Sequence, residues 1–249
     1  MEAILRRDKT VVIAGLITIT AMAWAYLVYD ARSKDCMKMM AWNFSTAWWM
    51  FAMWSVMMAA MMVPSVAPMA LTFAMVNRTR RAQARPYVPT MLFLAGYLAV
   101  WTAFSALATA AQWGLQHAAL VSHLMVMTSP LASGLLLIAA GLFQLTPLKR
   151  ACLTHCQTPF SFIMTEWREG RWGAVVMGLR HGGFCVGCCW FLMGLLFVAG
   201  VMNLVWVAAI SAMVLAEKIA PPRLHVSTAA GLAFVGWGMA LGAGLLRLH

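Results

Sequence analysis

Charge is what this sequence has least of. Only 10% of its 249 residues are Asp, Glu, Lys or Arg, and only seven of these are acidic. Soluble domains carry about 25% charged residues. A surface so poor in charge cannot face water all round, which excludes an ordinary soluble domain. The shortage of carboxylates excludes hard-cation sites as well, because Mg²⁺ and Ca²⁺ need oxygen ligands. The sequence also has no glycine loop followed by Lys for phosphate, no nucleophile elbow and no His-Glu-x-x-His. Nothing in this inventory points to an enzyme. The net charge is +11, yet no basic face with interleaved aromatics accompanies it, so nucleic acid is not a partner.

What is present is apolar: 63% of the chain. The apolar residues come in runs of about 20, the length of a membrane-spanning helix. The expected fold is all-α: one polytopic transmembrane helical bundle over residues 1–249, with about seven spans, or six if the first is cleaved. The lipid bilayer is then the first partner. The basic residues fall mainly in the gaps between runs and set the orientation by the positive-inside rule. Arg6, Arg7 and Lys9 place the amino end in the cytoplasm, and Arg78, Arg80, Arg81 and Arg85 mark the same side. The expected location is a cytoplasmic (inner) membrane.

The first run, Val11 to Tyr29, follows a short basic segment, and Ala23-Trp24-Ala25 could serve as a cleavage site. Its length favours an uncleaved helix. The second run, Ser45 to Val76, would reach ~48 Å as one helix, against a hydrocarbon core of ~30 Å. Pro64 and Pro68 are expected to kink or break it. Further spans are Tyr87 to Gln112, Leu131 to Leu148, a fifth ending near Gly200, Leu204 to Ala216 and Val226 to Leu246. Before the fifth span, Arg180-His181-Gly182-Gly183 interrupts the apolar pattern. Either Gly173 to His181 is a short interfacial or re-entrant helix, or a long helix bends at the paired glycines. The break is favoured. Phe160 to Arg168 reads as a short surface helix. Five glycines in the last run would let helices approach closely.

Sulfur is the other excess: 22 Met and six Cys. Met50, Met53, Met57 and Met61 share one helical face, with Met58, Met62 and Met69 on a neighbouring stripe. Such spacing suits packing. It also suits a thioether path, because soft sulfur ligands select Cu(I). Cys36-Met37-Lys38-Met39-Met40 and His117, His123, Met125 and Met127 lie on the expected outer side, where they could capture a soft metal.

The remaining five Cys form two clusters on or near the cytoplasmic side. One is Cys152-Leu153-Thr154-His155-Cys156; the other runs from His181 through Cys185, Cys188 and Cys189. Cytoplasmic thiols stay reduced, so metal or redox chemistry is expected rather than structural disulfides. On a helix, i+3 and i+4 spacings put His181, Cys185, Cys188 and Cys189 near one face, although Cys188 and Cys189 point about 100° apart. Cys152, His155, Cys156, His181, Cys185, Cys188 and Cys189 are therefore the candidate metal ligands. The metal is a transition metal ion, with copper favoured over zinc. Arg180 and Glu217 are the odd charges of the apolar region and form a candidate pair.

The sequence resembles a bacterial family of uncharacterised integral membrane proteins described as predicted metal-binding, a domain-of-unknown-function family. The likeness rests on Trp54 through Met57, Met58, Met61, Met62 and Pro64, and on Gln144-Leu-Thr-Pro147-Leu-Lys149 leading into Cys152 and Cys156. It continues through Gly178-Leu-Arg-His181-Gly, Cys185-Val-Gly-Cys188-Cys189-Trp190 to Met193, and Asn203 to Trp206, and ends at Glu217-Lys218. An Arg often follows the second Cys of the first cluster in that family; here the position is Gln157. The resemblance implies metal binding and a membrane location, with the core at about residues 45–218. It implies no substrate. Three readings follow: copper transport or delivery with a metal-donor or acceptor protein, a membrane thiol-redox or electron-transfer protein using Cys185 and Cys188, and a non-catalytic structural or assembly subunit.

Overall fold

The structure is a computed structural model that describes residues 2–33, 42–83, 88–122 and 125–245. It is all-helical: α1 Glu2–Arg32, α2 Phe44–Ala82, α3 Thr90–His117, α4 Pro130–Leu145, α5 Pro147–Gln157, α6 Pro159–Glu166, α7 Gly170–Gly194, α8 Leu196–Ala199, α9 Leu204–Ile219 and α10 Val226–Gly242. Among the described residues the only β feature is an isolated bridge between Val121 and Met127.

Each of the seven apolar runs is found as a helix. Four helical stretches are long and apolar enough to cross a membrane: Lys9–Arg32, Phe44–Arg80, Thr90–His117 and Gly170–Ala199. The α4–α5 pair makes a fifth if its 65° bend lies within one span. At 16 and 17 residues, α9 and α10 are shorter. At 1.5 Å per residue they reach about 25 Å.

Two Thr-Pro steps shape the lower bundle. Pro147 lacks an N–H and pushes the residue before it out of helical conformation, so Thr146 is extended at φ −70°, ψ 149°. Its hydroxyl then accepts from the Lys149 N–H, a helix N-cap. Thr158-Pro159 ends α5 and starts α6 in turn, without the cap: the Thr158 hydroxyl donates back to the Thr154 carbonyl at 2.8 Å. The chain thus turns under the bundle and brings Lys149, Leu153 and Cys156 inward.

The two prolines of the second run do not split it. Pro64 and Pro68 both lie inside α2. Carbonyls in the turn before Pro64 take side-chain donors from other helices. The Tyr97 hydroxyl reaches the Met62 carbonyl at 3.3 Å and Ser211 the Met61 carbonyl at 3.4 Å.

The expected break at Gly182-Gly183 is absent: α7 runs unbroken from Gly170 to Gly194. A separate helix over Gly173 to His181 is therefore corrected; the short helix before α7 is α6. The glycines serve packing. A Cβ on Gly178 would lie 2.0 Å from the Phe93 carbonyl oxygen, and one on Gly96 would lie 2.2 Å from that of Val175. Helices α3 and α7 thus run side by side in backbone contact. In the last run Gly231 and Gly238 play the expected part, facing Gly141 and Gly134 of α4, whereas a Cβ on Gly236 would meet nothing within 4 Å.

Candidate metal centre

The site lies where α2, α3, α5, α7 and α9 meet, and its centre is the Cys185 sulfur. Cys185 is fully buried. Lys218 Nζ, from the last turn of α9, donates to it at 3.0 Å. The Tyr97 hydroxyl of α3 lies 3.1 Å away. Cys156 of α5 is buried too and lies near enough to Cys185 and Cys188 for their charges to bear on it. Lys218 also donates to Ser65 Oγ at 2.9 Å, and Ser65 lies 3.8 Å from the Met62 sulfur. A thiol, a phenol, an ammonium and a thioether thus share one buried pocket, each from a different helix.

Helical spacing explains the rest of α7. Cys188 and Cys189 are buried, and both thiols donate to the Cys185 carbonyl, at 3.1 and 2.9 Å. Bonds to the carbonyl three or four residues back are the usual recourse of small polar side chains inside a helix. Cys152 is half-buried, with its sulfur 2.9 Å from where a Cβ on Gly187 would stand, so Gly187 is what admits it.

The two histidines differ. His181 is buried among the rings of Phe162, Tyr97 and Phe93, at 5.4, 5.7 and 6.0 Å between centroids. Its Nδ1 has no hydrogen-bond partner. His155 is exposed on α5. It stacks on Phe184 at 4.1 Å, and its Nδ1 is 2.9 Å from the Ala151 carbonyl. The sulfurs of Cys156, Cys185 and Cys188 are therefore brought together, while His155 stands at the rim. Among the described residues no group of three or more His, Cys, Asp or Glu side chains is arranged to hold a metal ion. The position against Cys185 is taken by the Lys218 ammonium.

The methionine face is buried: Met50, Met53, Met57 and Met61 are each no more than 3% exposed. At the far end Gln112 holds Met50 and Trp54, donating to the Met50 sulfur at 3.5 Å and accepting from the Trp54 indole at 2.7 Å. Met62, from the neighbouring stripe, is the methionine tied to the thiol pocket through Ser65. Cys36 and His123 lie outside the described residues. Met125 is buried with φ 59°, and His117 is exposed, its ring tilted against Trp113 at 4.5 Å between centroids.

The candidate Arg180–Glu217 pair is not formed. Arg180 is on the exposed side of α7 and bonds Glu166 of α6. Glu217 points the other way, into the bundle, where Lys149 Nζ reaches its two oxygens at 2.8 and 2.7 Å and Gln144 donates at 2.9 Å. Both side chains of the Lys149–Glu217 pair are essentially inaccessible to solvent. Gln157, standing where the resembled family often has Arg, donates to the Glu217 carbonyl at 2.7 Å. The last turn of α9 therefore works in two directions: Glu217 fastens α4 and α5, and Lys218 reaches α2 and α7.

Sequence reasoning missed Lys218, Tyr97 and Ser65. Glu217-Lys218 carries a signal, being two adjacent charges closing an apolar run. Tyr97 and Ser65 carried none, since a lone hydroxyl in an apolar helix is commonplace.

A family model, PpoB2, described as a copper chaperone, matches residues 51–241. No curated protein and no solved structure matches the chain.

Proposed function

Since the chain belongs to this copper-chaperone family, we propose that it is a bacterial inner-membrane protein that takes up Cu(I), holds it on the sulfurs of Cys185 and Cys156, and delivers it to an acceptor protein. The observation that carries the reading is the buried Cys185 sulfur with Cys156 close to it, at the side of a helix whose buried face is lined by methionine. Thiol and thioether are the soft donors that select Cu(I). In this reading Met50, Met53, Met57 and Met61 lead copper from the outer side to the thiols, and the amino end is cytoplasmic. Cu(I) bridges two sulfurs once Lys218 gives up its place at Cys185.

The redox alternative is less well served. Reactive Cys-x-x-Cys pairs are at least partly exposed, so that a partner can reach them. Cys185 and Cys188 instead sit deep in a continuous helix, with the Cys188 thiol turned to a backbone carbonyl.

The test is the copper content of the purified protein after Cu(I) loading under reducing conditions. Wild type should retain copper, and Cys185→Ser with Cys188→Ser should lose it. Equal content in the two would refute the assignment.

A further inference from the structure

We propose that Lys218 makes this centre selective for a monovalent soft ion, by contributing a fixed positive charge that a divalent ion cannot share. The inference rests on the reading of Cys185 and Cys156 as copper ligands.

Lys218 is buried, and its ammonium touches two partners, Ser65 Oγ and Cys185 Sγ. Ser65 is neutral. Glu217, the adjacent carboxylate, is engaged by Lys149 on the other side of α9. A buried charge needs a counter-charge close by, and the Cys185 sulfur, as thiolate, is the group placed to supply it. The empty site then sums to zero: one thiolate and one ammonium.

Loading keeps that sum only for a monovalent ion. Cu(I) offered by a donor protein arrives bound to a thiolate; copper that comes along the methionines yields the same loaded site, with the Cys156 proton passing to solvent. The Cu–S bond to the donor breaks, bonds to Cys185 and Cys156 form, and the Cys156 proton leaves with the donor sulfur as a thiol. No electron moves. The loaded site holds two thiolates, Lys218 and Cu⁺, again zero. A divalent ion on the same ligands leaves one uncompensated positive charge in a low-dielectric setting. With Lys218 neutralised the sums reverse, so the divalent ion is balanced and the monovalent one is not.

Room for the exchange is present. A cavity of about 380 Å³, lined by residues that include Arg150, Thr154, Gln157, Lys218 and His225, opens beside the lysine.

Ag(I) and Cd(II) test this directly, because they are isoelectronic soft ions that differ by one unit of charge. Full-length protein in detergent is offered both ions in competition, and bound metal is measured by mass spectrometry after desalting. Wild type should prefer Ag(I). Lys218→Gln should shift the Ag(I)-to-Cd(II) ratio toward Cd(II) by about tenfold or more, and Lys218→Arg, which keeps the charge, should retain the wild-type preference. A ratio in Lys218→Gln equal to wild type, with Ag(I) still bound, overturns the inference. So does a wild type that takes Cd(II) as readily as Ag(I), a result that needs no variant to fold. Wild type that binds neither Ag(I) nor Cu(I) would instead remove the site reading on which the inference stands.

Discussion

Replacing Glu217 by Gln removes one charge from a pair that no water reaches. Lys149 Nζ holds both Glu217 oxygens, Gln144 bonds both partners, and the two side chains are almost wholly enclosed. The variant keeps the shape and strands the ammonium. Breaking a buried pair from one side costs about 3–5 kcal/mol, because the remaining charge has lost its partner and cannot regain water. For a chain of this length each kcal/mol moves Tm by roughly 2–4 °C, so the fall should be on the order of 10 °C. Lys149→Met should cost a similar amount by stranding the carboxylate. The double variant Glu217→Gln/Lys149→Met has no buried charge left at this point, and Gln144 can still bond the new amide. It should recover most of the loss, as buried pairs replaced together often do. Tryptophan fluorescence during a thermal ramp in detergent reads this well, since the chain has 12 Trp. Single variants melting within about 2 °C of wild type, or a double variant no better than the worse single, would refute the account of this pair as the clamp between α9 and the α4–α5 elbow.

Other outcomes follow from the same geometry. Gly178→Ala puts a methyl into the Phe93 carbonyl and should destabilise by about 1–3 kcal/mol or more, visible as a lower Tm, whereas Gly183→Ala, with open space at its Cβ, should not. Tyr97→Phe removes a hydroxyl 3.1 Å from the Cys185 sulfur and should weaken Cu(I) binding in a chelator competition by about 1 kcal/mol, the worth of one hydrogen bond, with little change in Tm. Met57→Leu nearly conserves volume on the buried face of α2. It should leave the copper content of loaded protein unchanged while slowing uptake from outside in reconstituted vesicles. Equal uptake rates would reduce the methionine face to packing.

The helices were legible because apolar runs and charged gaps alternate so plainly. The thiols were legible too, because five Cys in two tight groups stand out in a greasy chain. What could not be read was partnership across helices. Glycines have two uses, breaking a helix and letting another approach, and Gly182-Gly183 looks the same for both. Only the presence of α3 against α7 decides it. The Arg180–Glu217 pairing failed for a similar reason: opposite charges at the edge of an apolar region look complementary, but a helix has a direction for each residue. Lys149 ended a run in sequence, yet the Thr146-Pro147 turn carries it inward to Glu217. Tyr97 lies 88 residues from Cys185 along the chain, and no local pattern joins them.

The backbone contact of α7 with α3 has a kinetic consequence. A helix seated on its neighbour through Gly178 and Gly96, with carbonyls where side chains would otherwise stand, cannot slide or roll without lifting off. The segment that carries Cys185, Cys188 and Cys189 is thereby held in fixed register. In the proposed reading, copper exchange would then fall to single side chains, with Lys218 giving way at Cys185. Rotamer changes of this kind occupy picoseconds to nanoseconds in exposed residues, whereas shifts of whole helices take microseconds to milliseconds. The tempo of delivery should accordingly follow the meeting with the acceptor rather than any rearrangement of the bundle.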